Sequence, residues 1–242
     1  MASKRLRMFA GPNGSGKSTI FNKIRSQFSL GIYLNADEIE NLLRNRNQLS
    51  LKAFNLSESH GIKFNKFLQN HSLFQKASSQ GYSIDLNCQN GIISNPNNAT
   101  HSYEASILTD FLRTELIQAG QKITFETVMS HPSKIETLKK AKKLGYKNYL
   151  YFICTENVEI NKARVEERVK SGGHNVPPEK TEQRYYRSLE LLPKAIENSY
   201  RSFIFDNSEN TSKLILDVYQ GKKVTFQTEE VPLWVDKYFL NL

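Results

Sequence analysis

Residues 11 to 19 read Gly11-Pro12-Asn13-Gly14-Ser15-Gly16-Lys17-Ser18-Thr19, and their types and spacing suit the gripping of nucleotide phosphates. The run fits Gly-x-x-x-x-Gly-Lys-[Ser/Thr], with Gly11, Gly16, Lys17 and Ser18 at the fixed places. Glycines let the backbone turn with positive φ and bring successive N–H groups onto phosphate oxygens. A lysine at that spacing reaches the β- and γ-phosphates, and the serine hydroxyl binds Mg²⁺. The expected cofactors are therefore ATP, or alternatively GTP, with Mg²⁺ on Ser18. A glycine-rich surface turn is the rival reading, and context argues against it. The run follows the apolar Leu6, Met8, Phe9 and Ala10, and it opens a pattern in which Ile20, Phe21, Ile24 and Phe28 share a helix face.

The elements around this loop alternate strand and helix, as a parallel sheet with helical crossovers requires. Strands are expected at residues 6–10, 32–34, 122–125, 149–154 and 203–205. Two further runs, 214–219 and 224–226 around Gly221, read as a hairpin at the sheet margin. Helices are expected after the phosphate loop, after Asp37, over 101–119 as a strongly amphipathic segment closed by Gly120, and between Pro132 and Gly145. A charged helix over 157–170 and another over 179–199 flank Gly172-Gly173-His174 and Pro177-Pro178. The fold class that follows is α/β of the P-loop NTPase type, a parallel sheet of about five strands with flanking helices. A helical lid over about 157–190, a C-terminal hairpin and a large insertion after strand two, about 45–100, complete a single domain over 1–242. The insertion reads as helical and then looser, with turn signals at Gly91 and Asn95-Pro96-Asn97. It either covers the acceptor site or decorates the surface.

Ligands of a doubly wound sheet gather beyond the carboxyl ends of its strands, so the polar residues there are the ones able to do chemistry. Asp37 follows strand two, Glu126 and Thr127 follow strand three, and Asp206 and Asn207 follow strand five. Phosphoryl transfer needs a group that orients the acceptor hydroxyl, and Asp37 suits that base role; its alternative is to cap the next helix. Glu126 suits a metal-bound water or a sugar hydroxyl, and Thr127 a hydrogen bond to the acceptor. Asp206 reads as a cap or turn residue in a loop near the adenine. Arg164 and Arg168 lie four apart on one helix face, as cations able to meet the moving phosphoryl group or to pair with Glu166 and Glu167. Arg184 and Arg187 share a face of the following helix, and His174 is placed to touch ligand from the lid.

Apolar residues at 38% and charged residues at 24% suit a globular chain of 242 residues, and no run is apolar enough to span a bilayer. Lys4, Arg5 and Arg7 lead straight into the first strand, so no secretory leader is expected. Cys88 and Cys154 fit no metal or redox spacing, and a reducing cytoplasm suits them. That location leaves the glycosylation-like triplets at Asn55, Asn98 and Asn210 without meaning. The histidines show no metal-ligand spacing. A net charge of +9 favours anionic partners: phosphorylated small molecules, an acidic protein or nucleic acid.

The phosphate loop, Asn35-Ala36-Asp37-Glu38-Ile39 and Phe125-Glu126-Thr127 together resemble the zeta-toxin-like P-loop kinases. Gly172-Gly173-His174, Val176-Pro177, Arg184-Tyr185-Tyr186-Arg187-Ser188-Leu189 and Phe205-Asp206-Asn207-Ser208 resemble the branch labelled predicted ABC-type ATPase. The resemblance covers about residues 5–40 and 101–235. It implies Lys17 and Ser18 for phosphate and metal, Asp37 for the base, and Glu126 and Thr127 for acceptor binding. A lid arginine, Arg164 or Arg168, is implied at the transferring phosphoryl group. Toxin members of the family phosphorylate a hydroxyl of UDP-N-acetylglucosamine with ATP and Mg²⁺, and an antitoxin blocks their nucleotide site. The Gly-Gly-His lid and the insertion at 45–100 depart from that toxin branch on the acceptor side. The function expected is γ-phosphoryl transfer to a small acceptor, a sugar nucleotide first. A nucleic-acid end kinase and a nucleotide-gated binding module with no acceptor are the rivals.

Overall fold

The computed structural model describes residues 4–96, 102–173 and 175–241; His174, Asn97 and Asn98 of the sequence reading lie outside these. β1 (Arg5–Ala10) leads through the glycine run into α1 (Lys17–Arg25). β2 (Ile32–Leu34) and α2 (Ala36–Arg46) follow, then β3 (Gln48–Ser50) and a 3₁₀ turn (Leu51–Phe54). The short helices α3 (Glu58–Gly61), α4 (Phe64–Gln69) and α5 (Ser72–Ser79) precede β4 (Asn87–Gln89), β5 (Ile92–Ser94) and the long α6 (Ser102–Gln118). Next come β6 (Ile123–Thr127), α7 (Ser133–Lys143), β7 (Lys147–Cys154), α8 (Val158–Lys170), α9 (Pro178–Glu190) and α10 (Leu192–Glu197). β8 (Arg201–Asp206), β9 (Lys213–Tyr219), β10 (Lys223–Phe226) and α11 (Leu233–Val235), continued by a π turn (Asp236–Leu240), close the chain. By their internal contacts these elements form two compact units, residues 1–30 with 124–242, and residues 31–123.

The first unit carries the phosphate loop on a sheet in the order β10-β9-β8-β7-β1-β6. β1, β7 and β8 run parallel, and the expected hairpin β9–β10 adds antiparallel strands at the margin. Alternation along the strands decides the two faces. Leu6, Met8, Leu150, Phe152, Ile204 and Leu216 are wholly buried on one face. There Asn148 donates its side-chain amide to Leu138 O of α7 and to Asn198 O beyond α10. On the other face Phe9, Tyr151 and Phe203 stack across three strands, with centroids 4.5 and 5.1 Å apart, and Phe21 of α1 meets Phe9 edge-on. Each fully buried side chain of this size contributes about 1.5–3 kcal/mol.

Three expectations change in this unit. α1 stops at Arg25, where the Gln27 N–H turns onto Ile24 O in a tighter 3₁₀-type bond at 3.0 Å, and Phe28 is 57% exposed rather than on a packed helix face. The helix expected over 179–199 is two helices, since Pro193 has no N–H to return to the preceding turn. β6 and β8 run on to include Glu126-Thr127 and Asp206, which therefore sit within the strands' last residues rather than after them.

The second unit is built around α6. The residues expected to make this helix amphipathic are buried, and so are Glu104, Thr109, Arg113 and Glu115 on its other sides. Polar partners make that burial tolerable. Tyr82 donates its hydroxyl to Glu104 at 2.9 Å, Lys63 pairs with Glu115 at 3.2 Å, and Arg113 pairs with Asp110 one turn away. Burial and the neighbouring Glu104 push the Tyr82 phenol up to about 12. Phe64 and Phe67 of α4 pack on Phe111 at 5.1 and 5.3 Å, so residues 45–96 supply part of the unit's core and are more than surface decoration. Their looser second half supplies β4 and β5, which join β3 from the start of the segment in a small sheet, β3-β5-β4, that the sequence reading missed. Its β4–β5 hairpin turns on Asn90 (φ 48) and Gly91 (φ 72), the two left-handed residues a tight turn of this kind requires.

Candidate phosphate-binding site

α1 begins at Lys17 with Gly16 as its N-cap, in the left-handed region at φ 87, and no side chain caps it. Glycine brings no capping side chain to the first turn, and the helix end favours an anion. Lys17 folds back over the loop, its Nζ donating to Gly11 O at 2.9 Å and Pro12 O at 2.8 Å. Phosphate oxygens would replace those carbonyls as acceptors. The Ser15 hydroxyl is wholly buried beneath the loop with no protein partner. An uncapped helix, an orphaned hydroxyl and a lysine held on neutral carbonyls together fit a triphosphate.

Ser18 donates its hydroxyl to Glu126 Oε2 at 3.0 Å, joining the start of α1 to the end of β6 across 108 residues of sequence. Among the described residues no three His, Cys, Asp or Glu side chains converge on a metal position. The donor set here, one hydroxyl and one carboxylate, is what Mg²⁺ uses when nucleotide phosphates and water complete its shell. Thr127 Oγ1 accepts from Met129 N–H at 3.1 Å, which holds Met129 at φ 55 and fixes the turn after Glu126. Asp37 belongs to the other unit. Asn35, not Asp37, caps α2 by accepting from Asp37 N–H at 2.9 Å, so the capping role considered for Asp37 is taken and its carboxylate is exposed.

The arginines separate by their partners. Arg164 donates to the carbonyls of Asn207 at 2.7 Å, Ser208 at 3.3 Å and Glu209 at 3.4 Å, clasping the loop after β8. Arg168 lies exposed near the end of α8, where its carbonyl accepts from Gly173 N–H. Arg184 of α9 reaches the phosphate loop itself, donating to Asn13 Oδ1 at 3.3 Å. It is half-buried, and that desolvation lowers its pKa. Lys162 ties α8 to α9 by pairing with Glu182 at 2.7 Å as well as with Glu159 at 2.9 Å. Asp206, the last residue of β8, fixes the turn that follows: its oxygens accept from Ser208 N–H and Trp234 Nε1 at 2.9 and 2.8 Å.

Two asparagines that sequence reasoning left without a role hold the loop from behind. Asn161 donates to Asn13 O at 2.6 Å while accepting from the Thr155 hydroxyl, and Asn207 donates to Ser15 O at 2.9 Å. Asn207 was visible as a polar residue at a strand end. Asn161, inside a charged helix, carried no signal.

The profile of the Zeta toxin family matches residues 86–215, more than half of the chain. The chain belongs to the Zeta toxin family. The match begins beyond the phosphate loop, so loop and family are independent observations. This family member is 42% identical to an uncharacterised protein of Haemophilus influenzae over 60 residues, which are 25% of this chain and 43% of that relative. In fold it is similar to the complex of AvrRxo1-ORF1 with AvrRxo1-ORF2, solved with sulphate ions (TM-score 0.56, 15% identity, 98% of this chain and 63% of that one). The same complex solved with ATP matches at TM-score 0.54 and 16% identity, over 93% of this chain and 61% of that one. The PezAT chromosomal toxin–antitoxin system of Streptococcus pneumoniae matches at TM-score 0.54 and 13% identity, over the whole of this chain and 80% of that one. The family member described here thus shares the α/β architecture of these solved structures and spans under two thirds of the length of the first relatives it matches.

Proposed function

We propose that this chain is an ATP-dependent kinase that transfers the γ-phosphoryl group to a hydroxyl of a small acceptor, a sugar nucleotide such as UDP-N-acetylglucosamine. The observation that carries the reading is the uncapped phosphate loop with Ser18 on Glu126 and Arg184 on Asn13. In the transfer, the bond between the γ-phosphorus and its bridging oxygen breaks as the acceptor oxygen bonds to that phosphorus, and ADP leaves. Asp37 would take the acceptor proton; its motif and its exposed carboxylate support the assignment. Lys17 would hold the β- and γ-phosphates, and Arg184 would meet charge on the moving group. The arginine implied by resemblance, Arg164 or Arg168, gives way to Arg184 in this reading because Arg164 spends its donors on loop carbonyls. Mg²⁺, when bound, neutralises charge between the phosphates; Ser18 and, through water, Glu126 would hold it. Thr127 would add a hydrogen bond to the acceptor, its hydroxyl proton being uncommitted by the bond it accepts from Met129.

We treat residues 1–242 as one kinase domain with 45–100 as an insertion and α8–α9 as the lid. PezAT is a toxin–antitoxin system, and AvrRxo1-ORF1 is solved bound to ORF2, which supports an antitoxin-like protein partner here. Two free cysteines suit a cytoplasmic location, and no described helix is long and apolar enough to cross a membrane.

The test is transfer from γ-labelled ATP, with Mg²⁺, to a panel of metabolites and oligonucleotides. Label on a sugar-nucleotide hydroxyl supports the reading. Label on oligonucleotide ends, with binding that weakens steeply as salt rises, turns the +9 charge into a nucleic-acid end kinase. ATP uptake without transfer leaves a nucleotide-gated binding module, and no uptake at millimolar ATP overturns all three.

A further inference from the structure

We infer that Asn161 and Asn207 are positioning residues that aim the phosphate loop's N–H groups, an inference that rests on the nucleotide-binding part of the reading above. In a planar trans peptide the C=O and N–H point in opposite directions. Asn161 holds the carbonyl of Asn13 at 2.6 Å, so the N–H of Gly14, in the same peptide plane, faces away from α8. Asn207 holds the carbonyl of Ser15 at 2.9 Å, so the N–H of Gly16 faces away from the loop after β8. The next carbonyl, Gly16 O, accepts from Thr19 and Ile20 N–H at 3.1 and 3.3 Å, which turns Lys17 N–H outward from the helix end. Three donors are thereby aimed by what grips the carbonyl behind each of them. Two of the three grips are asparagine amides.

The same closeness explains why glycine stands at two of these positions. A Cβ on Gly14 (φ 76) would lie 2.5 Å from the Asn161 carbonyl oxygen, and one on Gly16 (φ 87) 2.2 Å from Asn207 Nδ2. Each asparagine is itself held. The Thr155 hydroxyl donates to Asn161 Oδ1, the N–H of Asn207 donates to Cys154 O at 2.8 Å, and Arg164 grips the Asn207 carbonyl at 2.7 Å. Arg164 therefore acts on the phosphates through Asn207, as part of the mount of the loop. An amide is required at both places because it donates without charge; a carboxylate of equal size would face the carbonyl with an acceptor.

The test measures binding of two probes, ATP with Mg²⁺ and inorganic pyrophosphate, by calorimetry, with a thermal melt for each variant. Pyrophosphate has no base or sugar, so it reads the loop alone. Asn207→Asp and Asn207→Ala, half-buried positions with little packing to lose, are expected to weaken both probes about tenfold or more with the melt little changed. Asn161→Ala is expected to do the same, and the Asn207 pair carries the test if that variant fails to fold. Unchanged pyrophosphate affinity in a folded Asn207→Asp overturns the inference, and if ATP binding alone weakens, Asn207 touches the nucleoside instead. Wild-type protein that binds neither probe removes the nucleotide reading and this inference with it; wild-type binding matched by the variants removes only the inference.

Discussion

Ser18 at the start of α1 and Glu126 at the end of β6 share a hydrogen bond of 3.0 Å, so the hydroxyl that a P-loop gives to its metal is already in contact with a carboxylate. The pair is exposed, and little folding energy is stored in it. In the kinase reading proposed above, its use would lie in fixing where the cation sits beside the nucleotide phosphates.

Glu126→Gln should therefore leave the melting temperature within a few degrees of wild type and raise the Mg²⁺ needed for half-maximal turnover by about tenfold or more. Ser18→Ala should act in the same direction. A magnesium titration of transfer at fixed ATP checks both, and an unchanged requirement in Glu126→Gln would detach that carboxylate from the metal.

Arg184 and Arg164 should fail in different ways. Arg184→Ala is expected to lower kcat on the order of 10³-fold or more while ATP still binds, as for other arginines that stabilise a transferring phosphoryl group. Arg164→Ala, which frees the carbonyls of Asn207 and Ser208, should raise the KM for ATP with kcat falling less than about tenfold. Steady-state kinetics at varied ATP separates the two patterns; the reverse pattern would return the phosphoryl contact to α8.

Asp37→Ala should abolish transfer with ATP binding intact. Asp37 occupies the first turn of α2, where a carboxylate at a helix N-terminus contributes about 0.3–1 kcal/mol, so only a small loss of stability is expected. Near-normal turnover in this variant would remove the base assignment.

Alkali should destabilise the fold through Cys154. The thiol is wholly buried, and that desolvation pushes its pKa far above the ordinary thiol value. A raised folded pKa means the stabilisation is whole below the unfolded value of about 8.5 and is lost as pH climbs from there toward the folded value. Between pH 9 and 11 the slope from this one group approaches about 1.4 kcal/mol per pH unit. Urea melts across that range, compared with Cys154→Ala, should show a flatter dependence in the variant; identical slopes would contradict the burial argument.

The local elements were legible because their causes are local. The glycine spacing of the loop, the apolar run of β7, the hairpin around Gly221 and the α/β alternation each depend on residues a few positions apart. Where a neighbouring turn competed, legibility ended: Phe28 continued a helix face in the pattern until α1 stopped at Arg25, and Pro193 split a helix the periodicity had continued. α6 looked one-sided because a polar residue in sequence says nothing of whether a partner will be brought to it; Tyr82 and Lys63 decide that for Glu104 and Glu115.

The sequence by itself determined that a phosphate loop stands between a strand and a helix, and that acidic residues end the strands around it. Only the tertiary structure decided which side chains reach that loop. Asn161, Arg184 and Asn207 meet Asn13 and Ser15 from 148, 171 and 192 residues away. The physical reason is that strand order and the path of each crossover bring them there. Hydrogen bonds over such separations follow the packing of whole elements, which no local pattern of residue types encodes.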